Sequence, residues 1–228
     1  MTVPRVGILT IGQAPRADGM AAEIAAVMGP GSEVVERGAL DGLDDSGVAA
    51  LAPGESDDLL VTLLADGREV HLAKSGTVPL LQKQLTRLED QDWVSATLLV
   101  CSGPFPGFMH SKPLIQPQKL LYGAALAVGD GRVATMLPDP DQVGWSRKQW
   151  QATRVADPLV VCADPYRHDR RAQVIAAAGE AAAAGAGCLY MDCFGYDLAL
   201  RDAAASVFGG PIVLARTMAA RLLAEVVS

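Results

Sequence analysis

The sequence predicts an α/β protein with mostly parallel sheets, because short apolar runs alternate with amphipathic or alanine-rich segments along the chain. Two of these runs end alike. Ala96–Val100 leads into Cys101-Ser102-Gly103, and Gly187–Asp192 leads into Cys193-Phe194-Gly195. The separation of the two cysteines suits one α/β unit, so the sequence also predicts two similar halves that face each other.

The first half begins as strand, loop and helix, and a hairpin then interrupts this alternation. Asp66-Gly67 lies between two apolar runs, which is a strong signal for a β-hairpin. His71 lies in the hairpin and is predicted to be structural. The predicted elements are strand 5–9, loop 10–16, helix 18–28, strand 33–37, a short helix near 48–51, hairpin strands 59–64 and 69–73, helix 78–90 and strand 96–100.

A proline- and glycine-rich connection, Pro104–Pro113, marks the crossing to the second half. We therefore predict a first lobe at 1–105, a second lobe at 106–210, and a C-terminal segment at about 211–228 that packs back onto the first lobe. The elements predicted beyond the connection are helix 117–128, turn 129–131, strand 132–137, a helix with Trp145 and Trp150, strand 158–162, helix 171–184, strand 187–192, helix 198–207, strand 211–214 and helix 215–227.

Composition narrows the class of function. The 228 residues are half apolar and carry a formal net charge of −7. This charge argues against nucleic acid or an anionic membrane surface as a partner. No apolar run approaches the roughly 20 residues that a membrane span needs. The N-terminus does not resemble a signal peptide. We expect a cytoplasmic protein.

The four cysteines of such a chain are expected to be thiols rather than disulfides. Cys188 and Cys193 lack further ligands at metal-binding spacing, and the three histidines are scattered, so no metal is expected. Cys162 and Cys188 fall within or beside apolar strand runs and are predicted to pack as small hydrophobic residues. Cys101 and Cys193 differ because each ends its strand.

A thiolate is a competent base, and a thiol at a strand end near a helix N-terminus can have a lowered pKa. Two thiols on opposite sides of one carbon can remove a proton from one face and return a proton to the other. This is racemisation or epimerisation without a cofactor, and it requires donors for the charge that builds on the substrate carboxylate. Cys101 and Cys193 are therefore the predicted acid/base pair.

The predicted substrate contacts lie in loops at strand ends. Arg16 is a candidate partner for a substrate carboxylate because its fork matches two carboxylate oxygens, and an ordinary loop-capping role is the equal alternative. Arg216 contacts ligand or satisfies the sheet edge, and Asp192 tunes the Cys193 thiol or binds an amino group. Tyr196 suggests an apolar pocket wall. The full set of predicted contacts is Thr10, Gln13, Arg16, Ser102, Gly103, Phe194, Gly195 and Tyr196.

Thr10–Arg16, the hairpin sequence Leu59–Gly67 and Leu189–Tyr196 together resemble the AroM family over nearly the whole chain. AroM proteins resemble the aspartate/glutamate racemase superfamily. That resemblance implies two Rossmann-like (flavodoxin-like) lobes, related by a pseudo-twofold axis, around a cleft. It also implies one cysteine from each lobe, here Cys101 and Cys193, no cofactor, and a homodimer as the favoured oligomer.

The sequence departs from the racemases after each cysteine. Those enzymes usually place Asn-Thr after the first cysteine and Thr after the second, whereas this chain has Ser102-Gly103 and Phe194-Gly195. Substrate recognition is therefore expected to differ. Three functions stay open: racemisation of a small carboxylate-bearing substrate such as an amino acid, cysteine-dependent isomerisation or decarboxylation of a small dicarboxylate, and binding of a small acid without turnover.

Overall fold

The computed structural model describes residues 3–128, 132–153 and 158–228. The chain divides into two compact units. The first unit extends to Pro117 and also includes Ala219–Ser228, and the second unit is Gln118–Met218. The turn predicted at 129–131 lies outside the described residues.

The first unit begins with the predicted strand, loop and helix. In chain order its elements are β1 (Arg5–Thr10), α1 (Met20–Met28), β2 (Glu33–Gly38), α2 (Asp45–Ala49), β3 (Leu59–Leu63), β4 (Glu69–Ala73), α3 (Lys74–Asp90), β5 (Ala96–Leu99) and β6 (Leu114–Ile115). Four of the strands form a parallel sheet in the order β2-β1-β5-β6.

The predicted hairpin is present, with β3 and β4 paired antiparallel. The amide of Leu64 donates to the Arg68 carbonyl at 2.8 Å, which leaves a three-residue loop at the tip. Gly67 has a φ of 86°. A three-residue hairpin loop needs this left-handed conformation, and glycine adopts it without strain.

The second unit alternates helices and strands. Its elements are α4 (Gln118–Val128), β7 (Val133–Leu137), a 3₁₀ turn (Pro140–Gln142), α5 (Val143–Ala152), β8 (Leu159–Cys162), α6 (Arg170–Ala183), β9 (Cys188–Met191), α7 (Leu198–Ala205), β10 (Ile212–Leu214) and α8 (Ala215–Val227), whose later part is counted with the first unit. The strands form a second parallel sheet in the order β8-β7-β9-β10.

Both sheets therefore have one topology. When the strands of each sheet are counted along the chain, the order across the sheet is second, first, third, fourth in both cases. The prediction of two α/β lobes with mostly parallel sheets is confirmed. The compact first unit includes the short strand β6 because this strand pairs with β5, a pairing that the proline-rich sequence before it does not signal.

Each unit has its own apolar core. Leu9, Leu72 and Leu85 are fully buried in the first core. In the second core Val174, Ala177, Ala178 and Ala181 form the buried face of α6, at the three- and four-residue spacing of an amphipathic helix. None of the described helices is long and apolar enough to cross a membrane. These cores fix the sheets whose strand ends carry the candidate site residues.

Candidate functional site

Cys101 and Cys193 occupy equivalent positions in the two sheets. Leu99 is the last residue of β5 paired with β1, and Met191 is the last residue of β9 paired with β7. In both units the next amide continues the ladder, since Val100 donates to Leu9 at 3.0 Å and Asp192 donates to Met136 at 2.9 Å. Each cysteine is thus the second residue beyond the same register position of the third strand.

The Cys101 side chain is half-buried and packs against the apolar core of the first unit. Its amide donates to the Leu99 carbonyl at 2.9 Å, which turns the chain sharply at the strand end. Ser102 is almost fully buried. A Cβ at Gly103 would contact the Cys101 sulfur at 3.7 Å, so glycine keeps the thiol uncovered on that side.

Cys193 is also half-buried, and a backbone amide and a tyrosine hydroxyl approach its sulfur. The Gly195 amide donates to Sγ at 3.3 Å, and the Tyr166 hydroxyl lies 3.9 Å from Sγ. Donors directed at a sulfur favour its ionised form. Two polar groups from separate loops therefore meet at the Cys193 sulfur.

The packing around position 195 favours glycine. A Cβ there would lie 2.7 Å from Pro165 Cγ and equally close to Cζ and Oη of Tyr166, so any other residue would force these side chains to shift. The glycine of the Cys-x-Gly motif thus lets the loop after β8 pack onto the loop after β9. This packing brings Tyr166 to the sulfur.

Arg216 fixes the loop that carries Cys193. Its guanidinium is fully buried and donates to the Phe194 carbonyl through Nε at 2.9 Å and through the second terminal nitrogen at 2.6 Å. The sequence position of Arg216 suits either a ligand contact or a group that satisfies the sheet edge. These contacts give it a role in holding the residue between Cys193 and Gly195.

Phe194 and Tyr196 are buried in the second unit. The Tyr196 hydroxyl donates to the Ala163 carbonyl at 2.6 Å. Burial, followed by the nearby Cys193, raises the pKa of this phenol well above its ordinary value. Both rings belong to the packing under the loop. Their roles as substrate contacts stay predictions.

Asp192 precedes Cys193 and is buried. Its Oδ1 accepts a hydrogen bond from the Tyr190 hydroxyl at 2.8 Å. Burial, followed by the charge of Asp192, raises the pKa of Tyr190 well above its ordinary value, so this phenol remains a donor. The carboxylate is therefore tied into the second unit at the point where the strand ends.

The loop after β1 is held by its neighbours in the first unit. Thr10 is fully buried at the strand end. The Gln13 side chain accepts from the Ala65 amide at 3.0 Å and donates to the Leu43 carbonyl at 3.4 Å. A Cβ at Gly12 would overlap the Leu63 carbonyl oxygen, so the loop lies directly on the hairpin.

Arg16 is nearly fully buried. Its guanidinium donates to both carboxylate oxygens of Asp18, at 3.3 and 2.8 Å, and to the Thr62 hydroxyl at 3.0 Å. The fork that the sequence suggests for a substrate carboxylate thus matches the carboxylate of Asp18. A substrate contact by Arg16 stays a prediction.

Sequence reasoning missed two side chains that shape these loops. Asp41 accepts from the amides of Gly38 and Ala14, both at 2.8 Å, and so joins the ends of β1 and β2. Tyr166 follows the end of β8 by four residues. The sequence offers one clue to them, which is their position. Asp41 follows β2 and Tyr166 follows β8, and each of these strands lies beside the first strand of its sheet.

The remaining cysteines differ from the candidate pair. Cys188 is fully buried in β9, and burial raises the pKa of its thiol to about 11. Burial also raises the pKa of Cys162, at the end of β8. Within the described ranges, no three His, Cys, Asp or Glu side chains are arranged to hold a metal ion.

The chain is thus an α/β protein of two units, with a cysteine just beyond the third strand of each parallel sheet. Comparison with known proteins identifies its family. Residues 6–227 match the AroM protein family. The chain therefore belongs to the AroM family, and the resemblance seen in its sequence is confirmed. No curated protein matches the sequence.

Solved structures show the same fold at low sequence identity. An allantoin racemase from Klebsiella pneumoniae is 14% identical, with a TM-score of 0.69, over 98% of this chain and 87% of that one. The aspartate racemase of Picrophilus torridus is 11% identical, with a TM-score of 0.61, over 97% and 94%. An arylmalonate decarboxylase is 16% identical, with a TM-score of 0.58, over 97% and 92%. This chain therefore shares its fold with two racemases and a decarboxylase.

Proposed function

We propose that this protein is a cofactor-independent racemase or epimerase of a small carboxylate-bearing substrate, an amino acid or a derivative, in which Cys101 and Cys193 are the two acid/base residues. The observation that carries the proposal is the equivalence of the two thiols. Each lies two residues beyond the same register position of the third strand in its own parallel sheet. Ligands of open α/β sheets bind at the carboxyl ends of strands.

The reaction needs one thiolate and one thiol. The thiolate takes the proton from the substrate α-carbon and becomes a thiol, while the electron pair of the broken C–H bond delocalises onto the substrate carboxylate. The opposite thiol then protonates the other face of the carbon and becomes the thiolate. The product leaves with inverted configuration and the enzyme with its two protonation states exchanged, ready for the reverse direction.

Removal of the α-proton is difficult because negative charge builds on the substrate carboxylate. Hydrogen-bond donors that are already in position stabilise this charge and so lower the barrier. The backbone amides of Ser102, Gly103 and Phe194 are the proposed donors, and Gly195, whose amide donates to the Cys193 sulfur, is proposed to shape the loop around the substrate. Thr10, Gln13 and Arg16 are proposed to shape the first loop. The described contacts of Gln13 and Arg16 support a loop that keeps its form without ligand.

Deuterium exchange tests the proposal. The full chain is incubated in D₂O with a panel of single enantiomers of amino acids, their cyclic derivatives and hydroxy acids, and proton NMR and chiral chromatography are recorded. Racemisation predicts solvent deuterium at the α-carbon together with the opposite enantiomer. Binding without turnover predicts neither, and that result would contradict the proposal for the substrates tried.

Single cysteine variants identify the two bases. Cys101→Ser and Cys193→Ser are each expected to abolish stereoinversion, while one of them retains exchange on a single face. Cys162→Ser is the matched control because it changes a thiol at a strand end in the second sheet that the mechanism does not use. Full activity in both Cys101→Ser and Cys193→Ser would exclude the two-thiol mechanism.

Decarboxylation or isomerisation of a small dicarboxylate by a single thiol is the second candidate. It is favoured by the donors at Cys193, where an amide and a hydroxyl both approach the sulfur. This candidate predicts release of carbon dioxide from a substituted malonate, or isomerisation of a maleate, that Cys193→Ser abolishes and Cys101→Ser retains.

A further inference from the structure

Tyr166 has no part in the two-thiol mechanism, although its hydroxyl lies 3.9 Å from the Cys193 sulfur. The two residues are 27 positions apart in the sequence, so the contact arises from the fold alone. A separation of 3.9 Å is long for a hydrogen bond to sulfur. Contacts of this kind commonly shorten when charge develops or ligand binds. The phenol is therefore placed to act on the thiol.

The loop that carries Tyr166 is fixed in place by three hydrogen bonds. The Tyr166 amide donates to Asp164 Oδ1 at 2.8 Å, and the Asp164 amide donates to the Gln173 side chain at 3.0 Å. Arg170 donates to the Pro165 carbonyl at 3.4 Å. Because these partners belong to the loop itself and to α6, they fix the backbone at Tyr166 from its own side of the contact.

The ring position is set by Gly195. A Cβ at that residue would lie 2.7 Å from both Cζ and Oη of Tyr166, so the phenol carbon and its oxygen pass directly over the glycine. The same glycine donates its amide to the sulfur at 3.3 Å. An amide and a hydroxyl from two separate loops therefore converge on one sulfur atom.

We propose that Tyr166 is a positioning residue for Cys193, with its hydroxyl donating a hydrogen bond to the ionised sulfur beside the Gly195 amide. The inference deepens the proposed function and rests on it only for the use of that thiolate in turnover. When Cys193 is a thiol, the direction reverses and S–H donates to the phenol oxygen. The contact thus serves both protonation states, and no proton leaves the tyrosine.

Other charged and titratable groups lie around the loop that carries Cys193, and they bear on the titration of its thiol. Asp192 precedes it, and Arg216 is fixed to the Phe194 carbonyl. Tyr190 and Tyr196 are buried with pKa values raised well above the ordinary one, so they stay neutral while a thiol titrates. A change of the tyrosine hydroxyl at position 166 alone leaves all four groups in place.

The test is the pH dependence of Cys193 alkylation in the full-length protein, read by mass spectrometry of the modified peptide after brief exposure to iodoacetamide. Tyr166→Phe keeps the ring over Gly195 and removes the donor. Its profile is expected to shift to higher pH, with alkylation near neutral pH slowed roughly three- to tenfold and alkylation near pH 10 unchanged. Ser206→Ala is the control, because it removes a hydroxyl of the second unit that donates to the Ala203 carbonyl, and its profile should match the parent protein.

A second substitution keeps the test decisive if Tyr166→Phe folds poorly. Incorporation of 3-fluorotyrosine at position 166 preserves the shape and makes the hydroxyl a stronger donor, so the Cys193 profile should shift to lower pH. Profiles that coincide with the parent for either substitution would overturn the inference. Alkylation does not require turnover, so the shift can be observed even if the deuterium experiment fails, and the two failures are distinguishable.

Discussion

The Arg216 guanidinium donates two hydrogen bonds, of 2.9 and 2.6 Å, to a single acceptor, the Phe194 carbonyl. Arginine at the start of α8 thus fixes the peptide unit between Cys193 and Gly195, although it lies 22 residues away in sequence. Because this buried guanidinium supports the backbone, replacing Arg216 by a side chain that lacks these donors would leave the Phe194 carbonyl unsupported. Both the stability of the second unit and the shape of the Cys193 loop therefore depend on this side chain.

Arg216→Met is expected to lower the free energy of unfolding by about 2 to 4 kcal/mol, because a buried carbonyl loses a charged donor. It should also slow alkylation of Cys193, since the loop that presents the Gly195 amide loses its support. Chemical denaturation and peptide mass spectrometry measure the two effects. The control is Arg201→Met, at an exposed arginine that pairs with the adjacent Asp202. This control should leave stability nearly unchanged, because such surface pairs contribute little.

Gly195→Ala is expected to destabilise the protein by roughly 1 to 3 kcal/mol, because the new methyl group overpacks the loop. The methyl carbon would lie 2.7 Å from atoms of Tyr166 and Pro165. Displacement of Tyr166 should also reduce the reactivity of the Cys193 thiol. In the matched control, Gly179→Ala, the new Cβ would meet nothing within 4 Å in the interior of α6. A stabilisation of up to about 1 kcal/mol is expected there. Equal effects of the two changes would refute the close packing at Gly195.

Asp18→Asn is expected to cost about 3 kcal/mol of unfolding free energy, because it removes the carboxylate that faces the buried Arg16 guanidinium. The Arg16 side chain is 3% exposed and that of Asp18 is 13% exposed, so solvent screens the pair weakly. Asp45→Asn is the control, since the side chains of the Arg68–Asp45 pair are 58% and 79% exposed. Solvent screens that pair strongly, so the control should hardly change the melting temperature. Thermal melts of both variants would separate the two cases.

The buried Cys188 thiol is expected to make stability pH-dependent in alkali. Its pKa is raised from 9.0 to about 11 in the folded state, so folding favours the protonated form. The resulting stabilisation is about 3 kcal/mol; it is fully present below the unfolded pKa and is lost as pH rises through the folded pKa. Denaturation at several pH values should therefore show a shallower decline in Cys188→Ala than in the parent protein. Tyr190 and Tyr196 contribute equally to both proteins, and parallel curves would refute the prediction.

Local patterns predict much of the fold. The hairpin predicted from Asp66-Gly67 is present, because a short loop with a left-handed glycine forms from local sequence and depends little on distant residues. The Cys101 and Cys193 strand ends are likewise visible as apolar runs that stop at Cys-x-Gly. Burial of both faces of a parallel strand produces such continuous runs, so sequence position suffices to place the two thiols.

Long-range partners are not predictable in the same way. A solvent-exposed arginine and Arg16 look alike in sequence, yet Thr62 accepts from Arg16 across 46 positions. The contact of Tyr166 with Cys193 depends on how two loops pack, which no local period encodes. The strand β6, only two residues long, leaves no periodic pattern to detect.

The hairpin of the first unit, β3 with β4, has a consequence for the divergence of relatives. It reaches the loop after β1 from distant sequence, through Ala65 to Gln13 and Thr62 to Arg16, and it stands outside the four-stranded sheet. Insertions or substitutions in the hairpin can change the shape of the loop after β1 while the strands that carry the cysteines remain unaltered. Natural variation in ligand preference among relatives is therefore expected to concentrate in the hairpin rather than in the sheets.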